Sequence, residues 1–290
     1  MSRSIVGKIQ INSFADIVGG KKDAVVEIPL ADLYEFSGHP FRVLDDEKMD
    51  ETVNSIKEHG VLIPSVVRPL MTGGYEIISG HRRKRACEIA GLETMPAIIK
   101  NYSDDEAVIA MVDSNIYRED ILPSEKARAY KMKYEAVKHQ GTSGGNSLDI
   151  LSEGSNDSSK TIQRYIYLAG LSEDLLNMID TKKIPLLAGV ELSFLSEKEQ
   201  RWVYDLVNTG EITISPSQAT ELKQYSSKKE LTKAVVELIL KKEKIKQRKL
   251  VLKKEKLDSY FDESVSEEEI EKTILMLLDE WKNRKGGLTD

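Results

Sequence analysis

The residues best placed to do chemistry lie in Ile77-Ile78-Ser79-Gly80-His81-Arg82-Arg83-Lys84-Arg85-Ala86. A run that reads as a buried strand meets a glycine, and a helix start crowded with cations follows. The first turn of a helix carries free N–H groups and a partial positive charge, so acidic residues normally sit there. Cations on that end are unfavourable unless an anion joins them, and Gly80 lets the backbone approach the anion closely. This pattern points to a polyphosphate. A contact to DNA phosphate, or a solvated basic face, would leave the same local signature. No Gly-x4-Gly-Lys-Ser/Thr loop occurs, so it is not a Walker motif.

Two more segments carry functional residue types. Asp113-Ser114-Asn115-Ile116-Tyr117-Arg118-Glu119-Asp120 puts carboxylates, an amide and a guanidinium between two predicted domains. That suits a metal–phosphate site, although a polar helix end and linker reads the same way. Leu148–Glu153, a turn at Gly154-Ser155-Asn156-Asp157, and Ser158–Ala169 fit a helix-turn-helix. Asn156 tolerates a left-handed backbone. Ser158 or Ser159 can cap the second helix, and Ile162, Ile166 and Leu168 or Ala169 are expected inside. Ser159, Lys160, Gln163 and Arg164 are expected outside, as residue types that contact phosphates and base edges. An ordinary helical hairpin would show the same spacing.

The elements that must position these residues can be read in turn. Val25–Ile28 predicts a strand. Asp45 or Asp46 can cap a helix with Met49, Val53 and Ile56 on one face, closed by His59-Gly60. Val61–Leu70, the turn Thr72-Gly73-Gly74 and Tyr75–Ser79 predict a hairpin. A helix over Arg82–Ala90, a strand over Met95–Lys100 and a capping box at Ser103–Glu106 follow. Pro123 and Gly141 bracket the next helix, Ser124–Gln140. The expected fold is an α+β N-terminal domain, an all-α helix-turn-helix domain and a helical C-terminal segment. The expected boundaries are a flexible arm at 1–23, domains at 24–120 and 121–225, a basic helix or linker at 226–260, and a C-terminal helix at 261–290.

With 290 residues and a net charge of -6, the chain is not a globally basic coat protein, but a local basic patch would still bind DNA. One cysteine, Cys87, excludes an intramolecular disulfide framework and a cysteine-based zinc cluster. Met1-Ser2-Arg3-Ser4-Ile5 lacks the apolar run of a signal peptide, and no stretch approaches the ~20 apolar residues of a membrane span. A cytoplasmic location, with no membrane partner, is expected. Lys241–Lys256 is strongly basic; it suits a solvated helix or non-specific DNA contact. Ser266-Glu267-Glu268-Glu269 opens a helix with Ile270, Ile274, Leu277, Leu278 and Trp281 on one side. Too short to be stable alone, it is expected to self-associate or to pack back on its own chain.

In order and spacing, these segments resemble the ParB partition-protein family over roughly residues 25–225. His39-Pro40-Phe41-Arg42 looks like the family's first nucleotide box, and Ser55–Val61 with Pro64 like the stretch that follows it. Gly80-His81-Arg82-Arg83-Lys84-Arg85-Ala86 looks like its Gly-Glu-Arg-Arg-x-Arg-Ala phosphate box, and Ser114–Asp120 like its Glu-Asn-x-x-Arg-x-Asp box. Leu122-Pro123-Ser124-Glu125-Lys126-Ala127 continues the pattern. The resemblance implies a homodimer that binds a centromere-like site in double-stranded DNA, with CTP and Mg2+ held in the N-terminal domain. It also implies clamp closure, slow CTP hydrolysis in many members, and a Walker-type (ParA-like) partition ATPase partner, usually engaged by the N-terminal arm. On this likeness Arg42 lies near the base and sugar, and Gly80, His81, Arg82, Arg83 and Arg118 belong to the nucleotide site. Asn115 helps hold magnesium, and Ser159, Lys160, Gln163 and Arg164 face DNA. His81 and Ser114 stand where the boxes carry glutamates; losing a carboxylate that a hard cation prefers is expected to weaken nucleotide binding or slow hydrolysis, and no catalytic residue is assigned. The acidic total and the altered boxes suggest plasmid or mobile-element cargo. Competing readings are a plain transcriptional regulator or nucleoid-associated protein, a ParB-like small-molecule kinase with Glu119 or Asp120 as base, and a sulfiredoxin-like enzyme, which lacks its cysteine here.

Overall fold

The computed structural model describes residues 24–118, 120–140, 147–153, 155–210, 212–241, 257, 260–262 and 265–286. The expected arm at 1–23, the Gly141–Asn146 loop, Glu119, Gly154 and all of the basic run after Lys241 lie outside them. The chain divides into two compact units, Met1–Lys242 and Glu243–Asp290.

The first unit begins with β1 (Val25–Pro29), a 3-10 turn and β2 (Leu33–Tyr34), then α1 (Glu47–His59). Strands β3 (Ser65–Pro69) and β4 (Tyr75–Ser79) form the predicted antiparallel hairpin. Helix α2 (His81–Ala90), strand β5 (Thr94–Ile99) and helix α3 (Asp104–Asp113) complete the α/β part. The sheet order is β1-β5-β3-β4-β2, with β1–β5 and β3–β4 antiparallel and β5–β3 and β4–β2 parallel. Several ends follow the residues that predicted them. Asp46 accepts from Met49 N to start α1, with Met49, Val53 and Ile56 buried. Ser103 and Glu106 form a reciprocal capping box on α3.

Side chains alternate across a strand, so neighbouring residues face opposite layers. Val67 and Ile77 pack with Met49, Val53, Ile56, Ala86 and Cys87 on the α1–α2 face. Val66 and Ile78 pack on the other face with Phe36, Phe41, Ala107, Met111 and Val112. This second layer continues into α4 (Pro123–His139), α5 (Ser147–Ser152) and α6 (Ser159–Leu168) through Ala129, Tyr130, Val137, Leu151 and Ile162. The apolar core therefore crosses the expected division at 120, because α4 lies directly on α3.

A second helical core follows, built by α7 (Glu173–Asp180), α8 (Leu186–Leu192), α9 (Glu197–Val207), α10 (Pro216–Ser227) and α11 (Lys233–Lys241). Val236, Ile239 and Leu240 belong to it, so packed structure runs past the expected limit at 225. In the second unit, α12 (Glu267–Gly286) starts at the Ser266–Glu269 hydrogen bonds. Leu277, Leu278 and Trp281 are more than half exposed within that unit.

The junction from β4 to α2 turns on Gly80, at φ 120° and ψ 16°. A Cβ there would sit 2.1 Å from Ser65 Oγ and 2.8 Å from Ser65 Cβ, and Ser65 is fully buried. Both the backbone angle and the space demand glycine. We expect Gly80→Ala to lower stability by ~2–4 kcal/mol, from strain plus overpacking. Urea unfolding measures it, and an unchanged midpoint would show that the turn relaxes freely.

Candidate functional site

Helix α2 starts without a side-chain cap and with no acidic residue in its first turn. Its first backbone bond runs from Lys84 N to Gly80 O. The N–H groups of the preceding residues have no acceptor within the helix, which leaves donors for an anion.

The cations of this turn are not waiting for a counter-charge, contrary to the expectation from sequence. Arg82 donates to Asp46 Oδ1 at 2.9 Å, and Arg85 reaches Asp45 Oδ2 at 2.6 Å. Lys84 pairs with Glu88 at 3.1 Å. Arg83 donates to the carbonyls of Ile63 and Pro64, which ties the segment before β3 to the helix. The acids that neutralise Arg82 and Arg85 come from the segment that caps α1, far away in sequence. A phosphate at this turn would compete with Asp46 for Arg82.

His81 does not act as one of the cations. It is buried, stacked on His39 with ring centroids 3.8 Å apart, and Phe36 N points at its Nε2 from 3.5 Å. Burial, helped by His39, Lys84 and Arg83, pushes its pKa down to about 3. His39 is also lowered, chiefly by burial; Arg118 adds to this, while a backbone hydrogen bond with Phe41 and the charges of Glu35 and Glu125 oppose it. His39 Nε2 is buried without a hydrogen-bond partner among the described residues.

Four segments remote in sequence thus meet around one imidazole pair. His39 belongs to the first box and His81 to the second. Arg118 of the third box and Glu125 of α4 both act electrostatically on His39. Glu125, itself buried, accepts from Arg42 N at 2.9 Å and Arg42 Nε at 3.2 Å, and from Leu122 N at 3.1 Å. Arg42 is therefore anchored to the start of α4. The Arg118 side chain is exposed, and makes no hydrogen bond or ion pair among the described residues. Glu125 was legible only as part of a Leu-Pro-Ser-Glu helix start. Its hold on Arg42 needed the fold.

The metal side is sparser. Asn115 Nδ2 donates to Met111 O at 2.9 Å and Ser114 Oγ at 3.0 Å, leaving Oδ1 as its acceptor. Asp113, the carboxylate beside Ser114, is paired with Lys133 at 2.5 Å. Among the described residues no group of three or more His, Cys, Asp or Glu side chains is placed to hold a metal. This donor set fits a hard cation that takes most of its ligands from phosphate and water.

The second candidate face lies on α6. Ser158 accepts from Thr161 N as the N-cap. Lys160 is exposed, Gln163 and Arg164 are half-buried, and neither cation has an ion-pair partner among the described residues. Ser159 differs from expectation. Its hydroxyl turns back to α5, 3.2 Å from Asp149 Oδ1 and 3.0 Å from Ser152 Oγ. Asn156 is not left-handed either; among the described non-glycine residues positive φ occurs at Lys182 and Lys229. The turn is held by charge instead. Asp157 takes Lys126 Nζ at 2.6 Å and Tyr130 Oη at 2.5 Å, fixing it to α4. Tyr117, within the third box, feels both Ser155 and Asp157.

The buried His81 generates a pH dependence. An unfolded imidazole takes its proton near pH 6.5, whereas folded His81 resists until about pH 3. Between those values the unfolded chain binds the extra proton, so this contribution is complete above pH 6.5 and is lost as pH falls. From pH 6 to 4.5, wild type should lose stability faster than His81→Phe, by up to ~1.4 kcal/mol per pH unit. Urea titrations at several pH values measure the two slopes; equal slopes would mean that His81 protonates freely in the fold.

Residues 15–116 match the family model of the ParB N-terminal domain. The nucleoid occlusion protein of Listeria innocua serovar 6a is 41% identical over 128 residues, which are 44% of this chain and 45% of that protein. The chromosome-partitioning protein Spo0J of Thermus thermophilus is 40% identical over 111 residues, 38% of this chain and 41% of that protein. The chain thus spans about half the length of the curated relatives it matches. Among solved structures, C-terminally truncated ParB from Caulobacter crescentus is similar in two complexes. With the centromeric parS site the TM-score is 0.43 at 21% identity, covering 70% of this chain and 99% of that one. With CTP-gamma-S it is 0.31 at 24% identity, covering 64% and 99%. Over residues 15–116 the chain is thus similar to the ParB N-terminal domain, as its family model and these relatives have it.

Proposed function

We propose that this protein is a ParB-type partition or nucleoid-occlusion factor that holds CTP at the start of α2 and reads duplex DNA with α5–α6 as a helix-turn-helix. The observation that carries the nucleotide half is the meeting of His39, His81, Arg118 and the Arg42–Glu125 pair beside an uncapped helix start. The first-turn N–H groups, Arg82 and Arg118 would hold the phosphates, and Arg42 would face the base and sugar. Asn115 Oδ1 would hold magnesium, which supplies neutralisation of phosphate charge. Clamp closure, a ParA-like ATPase engaged by residues 1–23, and a location on nucleoid or plasmid DNA in the cytoplasm complete the proposal. No helix among the described residues is long and apolar enough to cross a membrane.

A DNA-binding regulator without clamp closure is the second reading. It draws support from Arg82, Arg83 and Arg85, whose hydrogen bonds are already satisfied inside the protein. Equilibrium binding of CTP, ATP and GTP with Mg2+, together with cysteine crosslinking between N-terminal domains, separates the two. We expect a preference for CTP, at least tenfold weaker binding in Arg118→Ala, and crosslinking that rises with CTP and cognate DNA. Crosslinking indifferent to CTP would leave the regulator.

The exposed Leu277, Leu278 and Trp281 of α12 support a homodimer formed through this helix. Ile274→Asp with Leu278→Asp should convert a dimer to a monomer in sedimentation equilibrium. An unchanged mass would exclude this interface.

A further inference from the structure

Along α6, Lys160, Gln163, Arg164 and Tyr167 follow one another at helical spacing on the side away from buried Ile162. Gln163 Nε2 donates to Tyr167 Oη at 3.2 Å. This commits one of the two amide protons. The other proton and the carbonyl oxygen remain, a donor and an acceptor side by side.

Tyr167 is held in turn by residues outside its helix. Its ring lies 5.0 Å from that of Phe194, at an interplanar angle of 55°. The Lys223 ammonium sits 3.6 Å over the Phe194 ring and pairs with Glu191 at 2.9 Å. The two backbones come together at Gly170, where a Cβ would lie 3.2 Å from Tyr167 O and 3.6 Å from Ser193 O. A flexible amide on α6 is thereby tied, through two aromatic rings and a cation, to α8 and α10. Tyr167 and Phe194 are nonetheless 41% and 44% exposed, so the pair lies open at the edge of the candidate DNA face.

We propose that Tyr167 is a positioning residue that fixes the Gln163 amide to read an adenine in the major groove, an inference that rests on α5–α6 being the DNA-reading element. Adenine presents N7 as acceptor and N6 as donor, which matches the free N–H and Oε1 of Gln163. The bond to Tyr167 sets which end of the amide faces outward. Without it the amide can flip, and the discrimination falls. Lys160 and Arg164 on the same stripe would contact phosphate and add affinity without choosing a base.

The test is in vitro selection from a random-sequence duplex library with the full chain, followed by affinity measurements on the selected site. Wild type should enrich a motif with an A·T pair that Gln163→Ala no longer selects, while the rest of the motif persists. Tyr167→Phe keeps the ring stack and removes only the hydroxyl. It should relax the same position and weaken the selected site several-fold, with binding to non-specific DNA unchanged. A Tyr167→Phe motif identical to wild type overturns the positioning role, as does an equal loss on every sequence, which would mark a structural ring. A Gln163→Ala motif identical to wild type overturns adenine reading. Failure of wild type to enrich any motif overturns the α5–α6 reading itself, and this inference with it.

Discussion

The site depends on the absence of one side chain. At Gly80 strand β4 passes straight into helix α2 against buried Ser65, with no room for a Cβ. That turn fixes the rotation of α2. It sends His81 inward onto His39, Arg83 onto the carbonyls of Ile63 and Pro64, and Arg82 toward Asp46. The same geometry leaves the first-turn N–H groups uncapped. A basic helix start is tolerable here because it is neutralised from outside the helix, by acids that precede α1.

Much of the fold was legible because short-range rules govern it. Asp46 capping α1, the Ser103–Glu106 box and the Gly73-Gly74 turn each involve residues within a few positions of one another. The site was less legible because its pairings are long-range. Nothing local says that Asp45 and Asp46 will meet Arg85 and Arg82, or that Glu125 will hold Arg42. Ser159 shows the same limit. Helical periodicity gives the side of a helix, but not whether a short hydroxyl at its first turn bends back to a neighbour. His81 stands at the head of a run of cations yet is held neutral, because burial outweighs any benefit from charge.

The two candidate faces are joined by polar contacts as well as by packing. Asp157 binds the turn before α6 to Lys126 and Tyr130 of α4, whose first turn holds the Glu125 that anchors Arg42. Tyr117, two residues beyond Asn115, senses the same turn. A single helix thus carries contacts to both. Any energetic coupling across it must be reciprocal, so a ligand that shifts one face is shifted by the other to the same extent.

The continuous apolar layer from Val66 and Ile78 through Met111 to Tyr130 and Ile162 has a practical consequence for dissecting the protein. A fragment cut at residue 120 would keep the whole sheet yet strip the cover from Phe36, Phe41, Met111 and Val112. Such a piece would present a sticky apolar face and would report on aggregation rather than on the isolated domain. The natural place to divide the molecule is after α11, where the first compact unit ends.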